Sequence, residues 1–149
     1  MICASSVVGP LGANAREGAI TELLWNEPGN LTEGPLYDQA TAEVAAYFAG
    51  DLQDFTLPLA PRGSEFQQRF YAALCAIPFG ETRTYGDLAK ELGVSAQAIG
   101  QACGANPIAI FIPCHRVLAA AGLGGFSGRG GVEAKVELLK LEGAAGLLI

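Results

Sequence analysis

The sequence predicts a small α/β domain followed by a mainly helical domain that contains a helix-turn-helix. Residues 1–60 hold one basic and eight acidic residues, a balance of −7, whereas residues 61–149 balance at +1. Residues 57–61 (LPLAP) interrupt regular structure, because their two prolines fix φ and remove backbone donors. From Ser64 onward the apolar residues recur at helical spacing. We therefore predict two domains, residues 1–60 and 61–149.

Length and composition limit the classes of protein that fit. The chain has 149 residues, of which 50% are hydrophobic and 16% charged, which provides for a buried core and excludes disorder. The net charge of −6 and a pI near 4.7 argue against a nucleic-acid partner when taken alone, because phosphate contacts need a basic face. The acidity belongs to the first sixty residues, so the net charge of the whole chain does not exclude a nucleic-acid partner for the second half.

In the first domain the pattern predicts one strand and one helix. Residues 19–25 (AITELLW) fit a strand. Residues 38–49 fit a helix that Gly50 closes. The side chains expected to face the core from this helix are Ala42, Ala45, Ala46 and Phe48.

The second domain begins with a helix that Ser64 and Gln67 start as a capping box. Its apolar stripe ends before Pro78 and Gly80. The residues of the stripe are Phe66, Phe70, Leu74 and Ile77.

Two short helices follow, over residues 85–92 and from Ser95 to about Cys103, with a turn at Gly93. Thr84 and Asp87 open the first of them. This arrangement is typical of a helix-turn-helix, although any small helical domain contains such hairpins. The last helix is rich in small residues, namely Ala96, Ala98, Gly100, Ala102 and Gly104. A glycine inside a helix costs about 1 kcal/mol relative to alanine, so these positions indicate close approach of another surface, either a partner or a neighbouring helix.

The remaining segment predicts a buried strand, a glycine-rich loop and a final helix. Residues 108–112 (IAIFI) form the continuous apolar run of the strand. The loop glycines are too scattered for a phosphate cradle, and no Gly-Lys-Ser/Thr follows them. The helix covers residues 132–142 with Gly143 as its C-cap. Its expected apolar stripe is Val132, Val136 and Leu139.

The cysteine spacing does not predict a metal site, and we expect no cofactor. The four cysteines, Cys3, Cys75, Cys103 and Cys114, contain no CxxC pair and do not have the spacing of a zinc finger or ribbon. No basic or apolar secretory region precedes Arg16, and the apolar run 108–112 is far shorter than the roughly 18 residues that span a bilayer. We expect a reduced, cytoplasmic protein with no membrane partner.

Cys114 and His115 are the sharpest chemical feature. A cysteine becomes a nucleophile when a base or a cation favours its thiolate, and here a histidine is adjacent and Arg116 follows. Adjacent side chains usually diverge, so a bridging water or a sharp turn at Pro113 is needed. The alternative is that Cys114 is a small buried hydrophobe and His115 an interior histidine.

The segment 113–117 (PCHRV), preceded by Asn106-Pro107 and followed by residues 125–128 (GFSG), resembles the active-site signature of the O6-alkylguanine-DNA alkyltransferases, also called methylated-DNA–protein-cysteine methyltransferases. The resemblance covers about residues 62–144. Its other motifs are Phe66-Gln67, residues 77–82 (IPFGET), residues 84–89 (TYGDLA), Lys135, Leu138-Leu139 and Glu142-Gly143. The resemblance implies an RNase H-like first domain and a winged-helix-like second domain. It also implies an enzyme without a cofactor that transfers the alkyl group of O6-alkylguanine in DNA irreversibly to its own cysteine. O4-alkylthymine is a further substrate to test.

The resemblance also implies roles for individual residues. Cys114 is the nucleophile, His115 deprotonates it through a water, Glu142 holds the imidazole, and Asn106 orders the turn that carries Cys114. The substrate-binding residues it implies are Tyr85, Val117, Phe126 and Ser127. Phe126 stands where many relatives have tyrosine.

The resemblance implies that the helix from Ser95 to about Cys103 binds DNA by lying in its minor groove. The implied partner is double-stranded DNA that carries O6-alkylguanine, and the implied oligomeric state is a monomer. The implied DNA-contacting residues are Ala96, Gln97, Ala98, Gln101 and Arg116. Gln97 stands where the family normally has an arginine that fills the space left by the flipped nucleotide, which predicts weaker binding or slower flipping. The competing interpretations are an alkylated-DNA sensor with weak transfer activity, a thiol hydrolase and a transcriptional regulator.

Overall fold

The computed structural model describes residues 1–120, 122–126 and 131–144. The chain divides into two compact units, Met1–Arg62 and Gly63–Ile149. Helices and a small amount of sheet make up the described part, which agrees with an α/β segment followed by a mainly helical one.

The first unit contains an antiparallel hairpin of β1 (Leu11–Arg16) and β2 (Ala19–Trp25). The predicted strand over residues 19–25 is confirmed. Glu17 and Gly18 both have positive φ, the conformation that a two-residue hairpin turn requires. β1 was not predicted because its sequence, LGANAR, lacks β-branched and aromatic residues, so that only its pairing with β2 reveals it.

Helix α1 (Pro35–Phe48) begins three residues before the predicted start. Pro35 occupies the first turn, where the missing backbone donor costs nothing. The predicted core face is wrong, since Ala42 and Ala45 are exposed. The face that is buried consists of Ala40, Val44 and Tyr47. These residues lie at i, i+4 and i+7 and include the larger side chains, so the helix places them inward.

In the second unit, the capping motifs define the helices as predicted. Helix α2 (Glu65–Cys75) follows the complete capping box of Ser64 and Gln67. The short strand β3 (Arg83–Thr84) leads into α3 (Tyr85–Leu92), and α4 (Ala96–Gly104) follows after a turn whose Gly93 is left-handed. The pair α3–α4 is therefore the predicted two-helix arrangement.

The predicted strand over residues 108–112 is wrong. All five residues are buried, as expected, but the chain folds back on itself: the Ile112 N–H donates to the Ile108 carbonyl at 2.9 Å. Ile110 takes a φ of 75°, a value that β-branched residues rarely adopt. The segment thus forms a tight buried turn.

A short 3-10 helix (Cys114–Arg116) follows this turn and runs into β4 (Val117–Leu118), which pairs in parallel with β3. Helix α5 (Gly131–Leu141) completes the described fold. Leu139 is buried as predicted, whereas Val132 is 42% exposed and does not belong to the core face. Lys135 takes an inward position on this helix because backbone carbonyls bind its ammonium group.

Among the described residues, no helix is long and apolar enough to cross a membrane. In the same part of the chain, no group of three or more histidine, cysteine, aspartate or glutamate side chains is arranged to hold a metal ion.

Candidate active site

Cys114 lies in the wall of a pocket of about 210 Å³ within the second unit. The pocket is lined by Tyr85, Gly100, Cys103, Gly104, Cys114, Gly125 and Phe126. Cys114 is the first residue of the 3-10 helix, and its N–H donates to the Ile112 carbonyl at 2.8 Å. The sharp turn that the sequence requires at Pro113 is therefore present.

Asn106 holds the buried turn that leads to Cys114. Its Nδ2 donates to the Ile112 carbonyl at 2.9 Å, and its Oδ1 accepts from the Ile108 N–H at 3.0 Å. One side chain thus satisfies backbone groups at both ends of the turn, which a strand would instead have satisfied by pairing. The left-handed Ile110 costs energy that this clamp offsets.

His115, Glu142 and Arg116 form a buried network beside Cys114. His115 Nε2 lies 2.7 Å from Glu142 Oε2, and neither side chain has any exposed surface. Arg116 donates from Nε to Glu142 Oε1 at 2.8 Å and from Nη2 to Oε2 at 3.0 Å. A planar guanidinium matches a carboxylate in this two-point geometry. Glu142 therefore binds both the imidazole and the guanidinium.

Arg116, for which the resemblance implies a DNA contact, is buried in the second unit. Its residue exposure is 6%, its Nη1 donates to the Ile77 carbonyl at 2.7 Å, and its Cζ lies 5.8 Å from the centre of the Phe79 ring. The Glu142 carboxylate takes up its other nitrogens. The sequence could not distinguish this interior arginine from one facing phosphate, and we assign Arg116 to the buried network.

The protonation state of His115 follows from its surroundings. Burial lowers the pKa of His115, and the hydrogen bond and charge of Glu142 oppose that effect only in part. At neutral pH the imidazole is therefore uncharged, with one donor and one acceptor nitrogen. Because a carboxylate only accepts, Nε2 carries the hydrogen and Nδ1 carries the lone pair. Nδ1 has no hydrogen-bond partner within the described residues, so it is available to accept a proton.

Two thiols face the pocket, and electrostatics separates them. Burial, together with the nearby negative charge of Cys114, raises the pKa of Cys103 to about 12. Cys103 is therefore a neutral thiol at physiological pH. Cys114 is the thiol that adjoins the His115 base, so the geometry favours Cys114 as the nucleophile.

Tyr85, at the start of α3, keeps its phenolic hydrogen. Burial raises the pKa of Tyr85, and a hydrogen bond with the Gly125 backbone opposes the rise.

Phe126 lies in the pocket wall, as the resemblance implies. The Val117 N–H donates to the Cys114 carbonyl and its own carbonyl accepts from Lys135 Nζ at 2.6 Å, so both backbone groups already have protein partners. Ser127 lies outside the described residues.

Helix α4 presents an uncharged outer face next to the pocket. Ala96, Gln97 and Gln101 are exposed, whereas Ala98 is half-buried. Gly100 and Gly104 are exposed on the same helix and also line the pocket. A surface lying against this face would therefore reach the mouth of the pocket that contains Cys114.

The sequence did not predict that the side chains of Tyr71 and Lys135 are buried. Tyr71 is 3% exposed, and its hydroxyl has no hydrogen-bond partner within the described residues. Burial and, to a lesser extent, the negative charge of Cys114 raise the pKa of Tyr71. Lys135 entered the sequence interpretation only as a matching motif residue. The burial of these two side chains depends on tertiary contacts and produces no local sequence signal.

Tyr71→Phe is expected to increase the free energy of unfolding by about 1 kcal/mol, because it removes a buried hydroxyl that none of the described residues hydrogen-bonds. Urea unfolding measures the change. Tyr37→Phe is the matched control of opposite sign, since the Tyr37 hydroxyl donates to the Met1 carbonyl at 2.9 Å. A loss of stability in Tyr71→Phe would show that the hydroxyl is satisfied in solution.

Comparison with known proteins supplies names for this architecture. The family model described as "6-O-methylguanine DNA methyltransferase, DNA binding domain" matches residues 65–144. The methylated-DNA–protein-cysteine methyltransferase of Mycobacterium leprae is 43% identical over 147 residues, covering 92% of this chain and 88% of that protein. The enzyme of the same name from Methanosarcina acetivorans is 49% identical over 111 residues, covering 72% of this chain and 70% of its own.

Solved structures show the same similarity. The crystal structure of Mycobacterium tuberculosis OGT in complex with DNA superimposes with a TM-score of 0.81 at 40% identity, covering 95% of this chain and 91% of that chain. The O6-methylguanine DNA methyltransferase of Methanococcus jannaschii gives a TM-score of 0.67 at 27% identity, with 89% and 87% coverage. The shared architecture therefore extends over most of both chains.

Proposed function

This chain belongs to the methylated-DNA–protein-cysteine methyltransferases, DNA-repair proteins that transfer an alkyl group from DNA to a cysteine of their own, and we propose that Cys114 is the accepting cysteine. The observation that carries the assignment is the position of Cys114, in the pocket wall and directly beside the buried His115–Glu142 pair. Asn106 acts through the turn that presents Cys114.

The reaction begins with loss of the Cys114 proton. His115 Nδ1, which carries the lone pair, accepts that proton through a bridging water, and Glu142 stabilises the resulting imidazolium. The thiolate then attacks the alkyl carbon of O6-alkylguanine in line with the oxygen that leaves. A sulfur–carbon bond forms as the carbon–oxygen bond breaks, and guanine leaves with the electron pair.

The departing guanine must recover one proton. The Tyr85 phenol faces the pocket, and its raised pKa keeps it protonated and able to donate to the base. Tyr85 is then reprotonated by the proton that His115 took from Cys114, so the products are guanine and a cysteine thioether. No group in this sequence of steps cleaves the thioether, so each molecule acts once.

DNA is the macromolecular partner, and we propose that α4 enters its minor groove. The small and uncharged outer face of α4 supports this, because it allows close backbone approach without reading a base sequence. Ala96, Gln97 and Gln101 are the exposed contacts. The target nucleotide flips from the stack into the adjoining pocket, at a cost of a few kcal/mol that is lowest for a poorly paired lesion.

The finer features implied by the resemblance are also proposals. The hairpin and helix α1 of the first unit support an RNase H-like fold, and the β3–β4 pair beside α3 supports a winged-helix arrangement. We propose a monomer, since one chain supplies the cysteine, the base and the α4 face. We propose a cytoplasmic location, in keeping with four cysteines that form no disulfide.

Intact-mass measurement tests the assignment. The protein is incubated with a duplex that contains O6-methylguanine, and a guanine duplex of the same sequence is the control. One added methyl group that maps to the peptide containing Cys114 supports the proposal. A methyl group on Cys103, or an unmodified protein whose thiols are intact, would overturn it.

Gly124→Ala is expected to lower the single-turnover transfer rate by roughly tenfold or more, a free-energy cost of about 1.4 kcal/mol. Gly124 has a φ of 73°, and a Cβ there would lie 2.9 Å from Tyr85 Cε2 and 3.0 Å from the Tyr85 hydroxyl. The ring would have to move from the pocket wall. Gly122→Ala is the matched control, because a Cβ at Gly122 has no neighbour within 4 Å among the described residues. Equal rates in both variants would contradict the positioning of Tyr85.

Gln97→Arg is expected to strengthen duplex binding and increase the flipping rate. An arginine adds one cation at an exposed position of α4, so the slope of log K against log salt should steepen by about 0.9. Binding titrations over a range of salt concentrations and single-turnover transfer measure the two effects. Gln101→Arg separates a general charge effect from one specific to position 97. Unchanged affinity and rate in Gln97→Arg would refute the role of Gln97.

A further inference from the structure

Lys135 is fully buried in helix α5, and among the described residues its hydrogen bonds all go to backbone carbonyls. Its Nζ lies 2.6 Å from the Val117 carbonyl, 2.5 Å from that of Leu123 and 2.9 Å from that of Gly125. An ammonium group has three hydrogens to donate, and these contacts use all of them. The arrangement binds the cation well but does not neutralise its charge.

The buried charges of the described residues do not balance without another anion. Glu142 is the buried carboxylate, and Arg116 already pairs with it in two-point geometry. His115 is uncharged at neutral pH because burial lowers its pKa. Lys135 is therefore a surplus positive charge in the interior, where an isolated charge is costly.

The surplus charge lies beside the pocket of Cys114. Gly125, which accepts a hydrogen bond from Lys135, lines that pocket, and so does Tyr85, whose ring centre is 6.0 Å from Lys135 Nζ. The titratable and charged groups of the elements around Cys114 are Tyr71 on α2, Tyr85 on α3, Cys103 on α4, His115 and Arg116 on its own 3-10 helix, Lys135 on α5 and Glu142 directly after α5.

Of these groups, Cys114 is the one able to supply the missing negative charge. Tyr85 and Tyr71 stay protonated because burial raises the pKa of each phenol, and Cys103 stays a thiol with a pKa of about 12. Burial lowers the pKa of Lys135, and the charges of Cys103 and then of Cys114 oppose that effect. Because Cys103 stays a neutral thiol at physiological pH, Cys114 is the one of the two that can act on Lys135 as an anion.

We propose that Lys135 is the buried counter-ion of the Cys114 thiolate and that its contacts with the Leu123 and Gly125 carbonyls hold the segment 123–125, whose Gly125 lines the pocket, in position. Lys135 is a positioning residue, since it acts on the nucleophile by charge and on this segment by hydrogen bonds. The inference rests on the proposed function, because it needs Cys114 to react as a thiolate.

Paired variants separate the charge from the hydrogen bonds. Lys135→Gln removes the charge but keeps two of the three donated hydrogens, whereas Lys135→Arg keeps the charge and the donors. The readout is the rate at which iodoacetamide modifies Cys114 in the DNA-free protein as a function of pH, followed by the mass of the Cys114 peptide. The Cys3 peptide of the same digest controls for the reagent.

In Lys135→Gln, the midpoint of the Cys114 profile is expected to move up by one pH unit or more, roughly a tenfold loss of rate below the midpoint. In Lys135→Arg it is expected to remain within about half a unit of the wild-type midpoint. A Gln variant with the wild-type midpoint, or two variants that lose rate equally with no shift, would overturn the proposal in favour of a purely structural lysine.

A second measurement covers the case in which the Lys135 variants fail to fold. In the wild-type protein, the pKa of Lys135 followed by ¹³C NMR of its Cε is expected to be higher than in Cys114→Ser, because the counter-ion is lost in the variant. Equal values would overturn the proposal. Methyl transfer by the same wild-type preparation is measured in parallel, so that a failure of the proposed function, seen as no transfer, is distinguished from a failure of the Lys135 inference.

Discussion

Cys114→Ser is expected to abolish alkyl transfer while leaving duplex binding intact. A serine hydroxyl is far harder to deprotonate than a thiol and is a weaker nucleophile, and removal of a nucleophile costs roughly a million-fold in rate in a well-studied enzyme. Cys114 is 3% exposed at the pocket wall and lies off the outer face of α4, so the DNA-contacting surface is unchanged.

Cys103→Ser is the matched control, because it makes the same substitution in the same pocket. Its transfer rate is expected to stay within about tenfold of wild type, equivalent to 1.4 kcal/mol in the barrier. Single-turnover incubation with an O6-methylguanine duplex, read by intact mass, measures both variants. Transfer by Cys114→Ser together with its loss in Cys103→Ser would reverse the assignment of the two thiols.

The parts of the fold that sequence reasoning predicted correctly are those determined by local chemistry. The Ser64–Gln67 capping box and the Thr84–Asp87 pair each require only residues three positions apart, and the helices begin where these motifs place them. Left-handed Gly93 likewise ends α3 through its own backbone freedom. Such signals are contained within one turn of chain, so they can be read without knowing the tertiary fold.

The errors come from residues whose conformation depends on distant partners. The apolar run 108–112 has the composition of a strand, but Asn106 takes the backbone groups at both ends of the turn and the run never pairs with a neighbour. The face of α1 was wrong because alanines carry little information on direction, and the larger Val44 and Tyr47 determine it. Burial by tertiary contacts overrides local pattern in both cases.

The candidate site shows the same division. Cys114, His115 and Glu142 were identified through a motif, and the structure brings the last two into contact. The burial of Arg116 and Lys135 could not be read from the sequence, because both depend on carbonyls and a carboxylate far along the chain. Their burial also removes two positive charges from the surface of the second unit, which further lowers the affinity expected for DNA.

Glu142→Gln is expected to destabilise the protein by about 3–5 kcal/mol and to slow transfer by roughly 10²- to 10⁴-fold. The amide removes the only buried carboxylate of the described residues, so the charge of Arg116 loses its counter-ion and keeps only uncharged partners, such as the Ile77 carbonyl and the Phe79 ring. The imidazole of His115 also loses the negative charge that stabilises its protonated form. Urea unfolding measures the stability, and single-turnover transfer measures the rate.

Two comparisons make the Glu142 result interpretable. Glu133→Gln makes the same substitution at an exposed position of α5 and is expected to change stability by no more than about 0.5 kcal/mol. Adding Arg116→Met to Glu142→Gln removes the unpaired cation, so we expect the double variant to regain much of the lost stability. It should not regain the transfer rate, because His115 still lacks its carboxylate. Equal instability of the single and double variants would show that the cost of Glu142→Gln does not come from the stranded Arg116 charge.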